Sequence, residues 1–200
     1  TRGSWTERQC YGRLARIPKR LYICVQRRKA VQLSQLPPDV LTVLREFRTC
    51  EFSTVNKSGC PVTWPTLPFL DLPNNRLIVT TSIGLPDKVF NVRRNGHVSL
   101  FFSDPTASGL SNPPAVLIQG DAVAPDEIST SVQGVEELLA EVFRRQPNSA
   151  IYSSNALTRR LFDWYYMRLS IFVTPRRVCW WEGGNLHAQP HKLEEINHVA

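Results

Sequence analysis

Three consecutive hydroxyl residues, Thr80-Thr81-Ser82, stand shortly before Lys88, with Gly84-Leu85-Pro86-Asp87 in between. Leu77, Ile78 and Val79 give the segment ahead of the hydroxyls strand character, and residues 88–94 read as a short helix closed by Asn95-Gly96. A strand end bearing hydroxyls, followed at once by a helix start, suits an anion, because free N–H groups and the positive end of the helix dipole meet there. A lysine in the first turn adds a full positive charge, and the combination is sized for a phosphate. Arg93 and Arg94 follow on the same helix. The plain alternative is that threonine is common in strands and lysine on exposed helix faces.

Other candidates carry less chemistry. Trp180 and Trp181 fall in a predicted strand, so their rings point to opposite faces, where core or subunit packing is the ordinary role. His187 and His191 flank Pro190, which argues against a helical metal pair and for a surface tail; no metal site is expected. His97 begins a strand and reads as a turn residue, while Asp163-Trp164-Tyr165-Tyr166-Met167 reads as packing or a dimer seam. Ser108-Gly109-Leu110-Ser111 lacks the strand–elbow–helix setting of a hydrolase nucleophile. The absence of a G-x-G-x-x-G or Walker loop excludes Rossmann and P-loop enzymes. Cys10, Cys24, Cys50, Cys60 and Cys179 are odd in number and form no C-x-x-C pair, which suggests reduced thiols in a cytoplasmic protein.

The elements that must position these residues are mostly strands. Pro37-Pro38-Asp39 opens a helix whose Val40, Leu41, Leu44 and Phe47 recur at helical spacing. Strands are predicted over 51–55, over 60–69 with prolines inside it, and over 76–82, 97–103, 115–124 and 168–181, the last bending at Thr174-Pro175. Residues 130–145 form the strongest predicted helix, with Val135, Leu138, Leu139, Val142 and Phe143 on one side, and residues 155–166 look helical again. Five to seven antiparallel strands with short turns suggest a closed or partly closed barrel, mainly β with flanking helices, in the α+β class.

The 200 residues carry a net charge of +7, unevenly spread. Residues 1–48 hold eleven Lys/Arg against Glu7, Asp39 and Glu46, whereas the rest is close to neutral. Residues 1–36 are therefore expected to be a basic, flexible extension, and 37–200 the single folded domain. Such an arm also suits a transit peptide or nucleic-acid phosphates, the latter a weaker reading beside a near-neutral body. No apolar run approaches the roughly twenty residues of a membrane span.

The order of these motifs resembles the pyridoxamine 5'-phosphate oxidase-like superfamily over roughly residues 38–125. Thr80–Asp104 resembles that family's hydroxyl-ended strand, loop, cation and helix; Val116-Leu117-Ile118-Gln119-Gly120-Asp121-Ala122 resembles its apolar-x-apolar-x-Gly-x-Ala strand; and Pro61-Val62-Thr63 completes the order. Near the end, Arg177-Val178-Cys179-Trp180-Trp181-Glu182-Gly183 and Leu186-His187 resemble its Arg-Val-Glu-Phe-Trp-Gln-Gly and Arg-Leu-His segments.

The resemblance implies an antiparallel, FMN-binding split β-barrel and an oxidoreductase that moves a hydride or electron pair to or from a small organic substrate. It implies a phosphate held by Thr80, Thr81, Ser82 and Lys88, a flavin ring along Pro61–Trp64 near Val62 and Thr63, and Trp181 beside the ring. It also implies a homodimer with sites between subunits, and no catalytic acid or base is assigned. The alternative cofactor is the 8-hydroxy-5-deazaflavin, whose longer anionic tail Lys57, Arg93 and Arg94 would meet. Where the oxidase has cations or lysine, this chain has Cys60, Pro65, Asp87 and Asn185, which points away from a true pyridoxamine 5'-phosphate oxidase. A non-catalytic flavin- or haem-binding module of the same fold is the second expectation.

Overall fold

A computed structural model of the chain describes residues 30–129, 136–145 and 167–194. The described strands, in chain order, are β1 (Cys50–Val55), β2 (Pro61–Thr66), β3 (Pro68–Asp71), β4 (Arg76–Ser82), β5 (His97–Phe102), β6 (Ala115–Val123), β7 (Ile128–Ser129), β8 (Arg168–Trp181) and β9 (His191–Glu194). They join into one antiparallel sheet in the order β2-β1-β5-β6-β8-β4-β3, with β7 and β9 added against β8. Helices α1 (Pro38–Glu46), α2 (Asp87–Arg94) and α3 (Glu136–Arg145) flank it. The fold is a split β-barrel.

The predicted strand over 60–69 is in fact two. β2 and β3 are separated only by Leu67, yet they form the opposite edges of the sheet. Leu67 is buried at this corner and Pro68 opens the new strand, so the chain turns from one edge of the barrel to the other. The nine described strands exceed the expected five to seven for this reason, and because β7 and β9 are too short to show alternation.

β8 is the hub. One side pairs with β4 from Leu77↔Val173 to Ser82↔Arg168, and the other with β6 from Val123↔Phe172 to Ala115↔Trp181. The expected bend at Pro175 is a β-bulge rather than a break: Gln119 pairs with Arg177 but Gly120 with Pro175, leaving Arg176 as the extra residue. Gly120 is required here, since a Cβ would lie 2.3 Å from the Thr174 carbonyl oxygen.

Alternation sends Phe52, Leu100, Phe102, Val116, Ile118, Ile171 and Val173 to one face, where they are fully buried. α1 caps this core with Val40, Val43 and Leu44, and α2 with Val89 and Val92. Asn91 of α2 is buried and donates through Nδ2 to Thr54 Oγ1 at 3.0 Å, which satisfies both groups.

The core begins earlier than the boundary expected at residue 37. Val31, Leu33 and Leu36 are buried in it. Asn75, at φ 51° in the β3–β4 turn, accepts from Leu33 N at 2.7 Å and donates to the Val31 carbonyl at 2.9 Å. Residues 1–29 of the expected arm, the predicted helix over 155–166 and the start of the one over 130–145 lie outside the described residues. The remainder of that last helix is α3. Its Arg145 is buried and donates to the Phe47 carbonyl at 3.1 Å, while Arg144 meets Glu46 at 2.9 Å. Hydrogen bonds from Arg144 and Arg145 hold the Glu141 carboxyl down to about 2.

Candidate functional site

Strand alternation divides the three hydroxyls. Thr81 turns to the core face, is 4% exposed, and donates through Oγ1 to the Leu85 carbonyl at 2.8 Å. Ser82 Oγ accepts from Gly84 N at 3.2 Å, and Leu85 N donates to the Ser82 carbonyl at 3.0 Å. These bonds fold the β4–α2 loop so that the helix starts close behind the strand end. Thr80 and Ser82 share the opposite face with their register partners Ser170 and Arg168.

Lys88 sits in the first turn of α2, as its position after Pro86 predicts. Its Nζ lies 5.3 Å from the centre of the Trp64 ring on β2, a cation–π contact. Desolvation pushes the Lys88 ammonium below its usual value, and the neighbouring Asp87 charge opposes that shift only in part. Among the described residues no carboxylate forms a salt bridge with it. Lys88 is thus a half-buried cation on an aromatic face, with no salt bridge among the described residues.

The structure thus brings Lys88 to Trp64, and Thr80 and Ser82 to Arg168. Two of these residues were missed by sequence reasoning as site residues. Arg168 has no local signal beyond being the first residue of a long strand; only its register opposite Ser82 exposes it. Trp64 was legible as part of the Pro61–Trp64 strand, but its contact with a helix over twenty residues away was not.

Val62 and Thr63 lie on opposite faces of β2. Val62 shares the core side with Trp64, while Thr63 is exposed and its hydroxyl pairs with Ser53 Oγ at 2.7 Å. Trp181 lies at the far end of β8, edge-on to Phe101 with ring centroids 6.3 Å apart. β8 is 14 residues long, so Arg168 and Trp181 stand roughly 40 Å apart along it. One chain does not bring Trp181 to the hydroxyls.

Arg93 is not a free arm: it donates to the carbonyls of Ala124 and Pro125 and pairs with Asp126. Arg94 donates to Asn91 Oδ1, and Lys57 is exposed in the β1–β2 turn. His191, expected in a surface tail, is instead in β9, stacked on Trp180 at 5.4 Å and 3.0 Å from Glu182. His97 opens β5 and meets Asp121 at 3.0 Å. Cys50, Cys60 and Cys179 are free thiols, and no group of metal-ligating side chains occurs among the described residues. No helix there is long and apolar enough to cross a membrane.

No protein-family model matches the chain, and no curated protein matches it. Solved structures do. A protein related to general stress protein 26, of the pyridoxinephosphate oxidase family, from Clostridium acetobutylicum is similar over 78% of this chain and 92% of its own at TM-score 0.51 and 12% identity. The chain has the pyridoxamine 5'-phosphate oxidase-like fold. A conserved hypothetical protein from Mycobacterium tuberculosis covers 77% of this chain and 89% of its own at TM-score 0.51 and 16% identity. A heme binding protein from Mycobacterium smegmatis covers 80% of this chain but 59% of its own, at TM-score 0.50 and 13% identity. The split barrel is common to all three, at identities that carry the fold alone.

Proposed function

We propose that this chain is a flavin-dependent oxidoreductase that works as a homodimer on a small organic substrate, with FMN or the 8-hydroxy-5-deazaflavin as cofactor. The observation that carries the reading is Lys88: half-buried, desolvated, resting on Trp64, and without a carboxylate in a salt bridge among the described residues. Its charge, on the helix that follows the Thr80 and Ser82 hydroxyls of β4, supports a phosphate as the bound group. Thr81 then serves the loop rather than the ligand, since its proton is committed to the Leu85 carbonyl.

When bound, the flavin supplies hydride chemistry. The residues of this chain hold and orient it: cations and hydroxyls at the phosphate, the β2 strand at the ring, and Trp181 against the ring from a second copy. Distance supports the dimer in this reading, because β8 holds Trp181 and Arg168 at opposite ends and one ligand could not reach both within one chain. Cys60, Pro65, Asp87 and Asn185 are all exposed and uncharged or acidic. A second phosphate, on the substrate, would find no cation there, which favours a substrate other than pyridoxamine 5'-phosphate.

The test is the absorption spectrum of the purified full chain across size exclusion, after addition of FMN, the deazaflavin or haemin in turn. A flavin or deazaflavin band co-eluting with dimer is the expected result. No band with either overturns the reading, and a haem band in its place moves the chain to the non-catalytic haem-binding alternative, for which the heme binding neighbour is the support.

A further inference from the structure

Past Trp181 the end of the barrel carries a cleft of about 300 Å³, between the β5–β6 loop and the turn after β8. Its wall is apolar where Phe47, Leu110 and Ala115 line it. Pro105, Pro113 and Pro114 line it as well, and a proline has no N–H to offer. The N–H of Leu110 is already taken by Ser108 Oγ at 3.2 Å. The Asn112 amide closes over Gly183, where a Cβ would lie 2.9 Å from its nitrogen. No Lys, Arg or His is among the lining residues. The wall is therefore poor in donors and carries no positive charge.

The charge beside this wall is negative. Ser103, a lining residue, donates its hydroxyl to the two Glu51 carboxylate oxygens at 3.3 and 3.2 Å. Two other acids neighbour the lining residues in sequence, but each is engaged elsewhere: Asp104 accepts from Thr106 N at 2.9 Å, and Glu182 meets His191 at 3.0 Å. Glu51 takes part in no salt bridge among the described residues. An anion here would meet Glu51 and find no cation, and a neutral ligand would leave the carboxylate unused. A protonated amine brings three donors and a positive charge, the complement of acceptors beside a carboxylate. We propose that this cleft binds a small organic ammonium compound, its apolar body against Phe47 and Leu110 and its ammonium on Ser103 Oγ and the Glu51 carboxylate. The size suits that class, since a cavity of roughly 150 Å³ already admits a benzene ring. The loop is preformed, because Ser108 donates through N and Oγ to the Pro105 carbonyl at 3.0 and 2.7 Å. None of these residues is assigned to the flavin, and the ammonium site is a second one, independent of that reading.

The experiment is titration calorimetry of the full chain with benzylamine, benzyl alcohol and benzoate at neutral pH, with circular dichroism melting as the fold control. Benzylamine should bind about tenfold more tightly than benzyl alcohol, the worth of one charge-assisted hydrogen bond, and benzoate should not bind. Glu51→Gln keeps the shape and an acceptor for Ser103 but removes the charge. Benzylamine should then fall to the level of benzyl alcohol, whose own affinity should not move. Leu110→Trp fills the cleft and should abolish binding of both. In the wild-type chain, added salt should narrow the preference for the amine, as for any charge pair open to solvent. Equal affinity for the amine and the alcohol, or for the amine and benzoate, overturns the inference, as does binding of none of the three. Retention of the preference by Glu51→Gln, or wild-type binding of benzylamine by Leu110→Trp at an unchanged melting temperature, overturns it too. The titration contains no flavin, so failure of the flavin reading leaves its outcome intact.

Discussion

The two ends of β8 are chemically unlike. At Arg168 the strand lies beside Ser82 and Ser129, with Thr80 and Ser170 two pairs further on, so hydroxyls and a cation share one face. At Trp181 it lies beside Ala115, with Phe101 against the indole and with Trp180 stacked under His191. Arg168 and Trp181 are an odd number of residues apart, and in a regular strand they would face opposite sides of the sheet. The bulge at Arg176 adds one residue and returns both to the same face. One end is suited to charge and the other to a flat ring, and under the proposed function a ligand with both features meets them on two copies of the chain.

The largest effect should come from removing the device that aligns the two ends. Gly120→Ala places a methyl group against the Thr174 carbonyl, where backbone rather than a flexible side chain must yield. We expect a loss of roughly 2–3 kcal/mol, measured by chemical denaturation, with the Trp181 emission altered in the native state. A variant as stable as the wild type would show that the bulge relaxes freely.

A smaller effect tests whether the ends meet across subunits. Lys88→Ala and Trp181→Ala should each weaken FMN binding by about tenfold. Co-refolding the two variants in equal amounts should restore tight binding at about a quarter of the sites, because half of the dimers then carry one intact site. Mixing with no recovery would place both residues in one chain's site, against the strand distance.

The smallest effect is a dependence on pH at the polar end alone. Burial lowers the Lys88 pKa, so its charge is lost as pH rises through that lowered value, ahead of an ordinary lysine at 10.5. FMN affinity should fall over that window while riboflavin, which lacks the phosphate, should not follow. The free protein has the opposite sign: the unfolded state holds the proton more tightly, so stability rises from the lowered pKa up to 10.5. Parallel curves for the two ligands would remove Lys88 from the phosphate.

Much of the barrel was legible because alternation and turn residues are local signals. The strands at 76–82, 97–102 and 115–123 and the helix after Pro86 appear with ends within two residues of those expected. What escaped was what depends on distant partners. Leu67 reads as one apolar residue in an apolar run, and only the closing of the barrel makes it a corner. Val31 and Leu33 sit in a basic stretch and are drawn into the core by Asn75. The site shows the same division. Lys88 was evident from a helix start, but Trp64 beneath it and Arg168 beside Ser82 are set by pairings across the sheet.

The position of β8 in the chain also orders assembly. The β1–β2 and β3–β4 pairs form between neighbouring segments, but β4 and β6 each wait for a strand that begins at residue 168. Until that strand arrives, two long edges carry unpaired main-chain groups, the condition under which chains associate wrongly. Pairings over such separations also slow folding. A nascent chain therefore holds an open sheet until the segment from residue 168 onward has been made, and the segment that closes it is the one that bears Arg168 and Trp181.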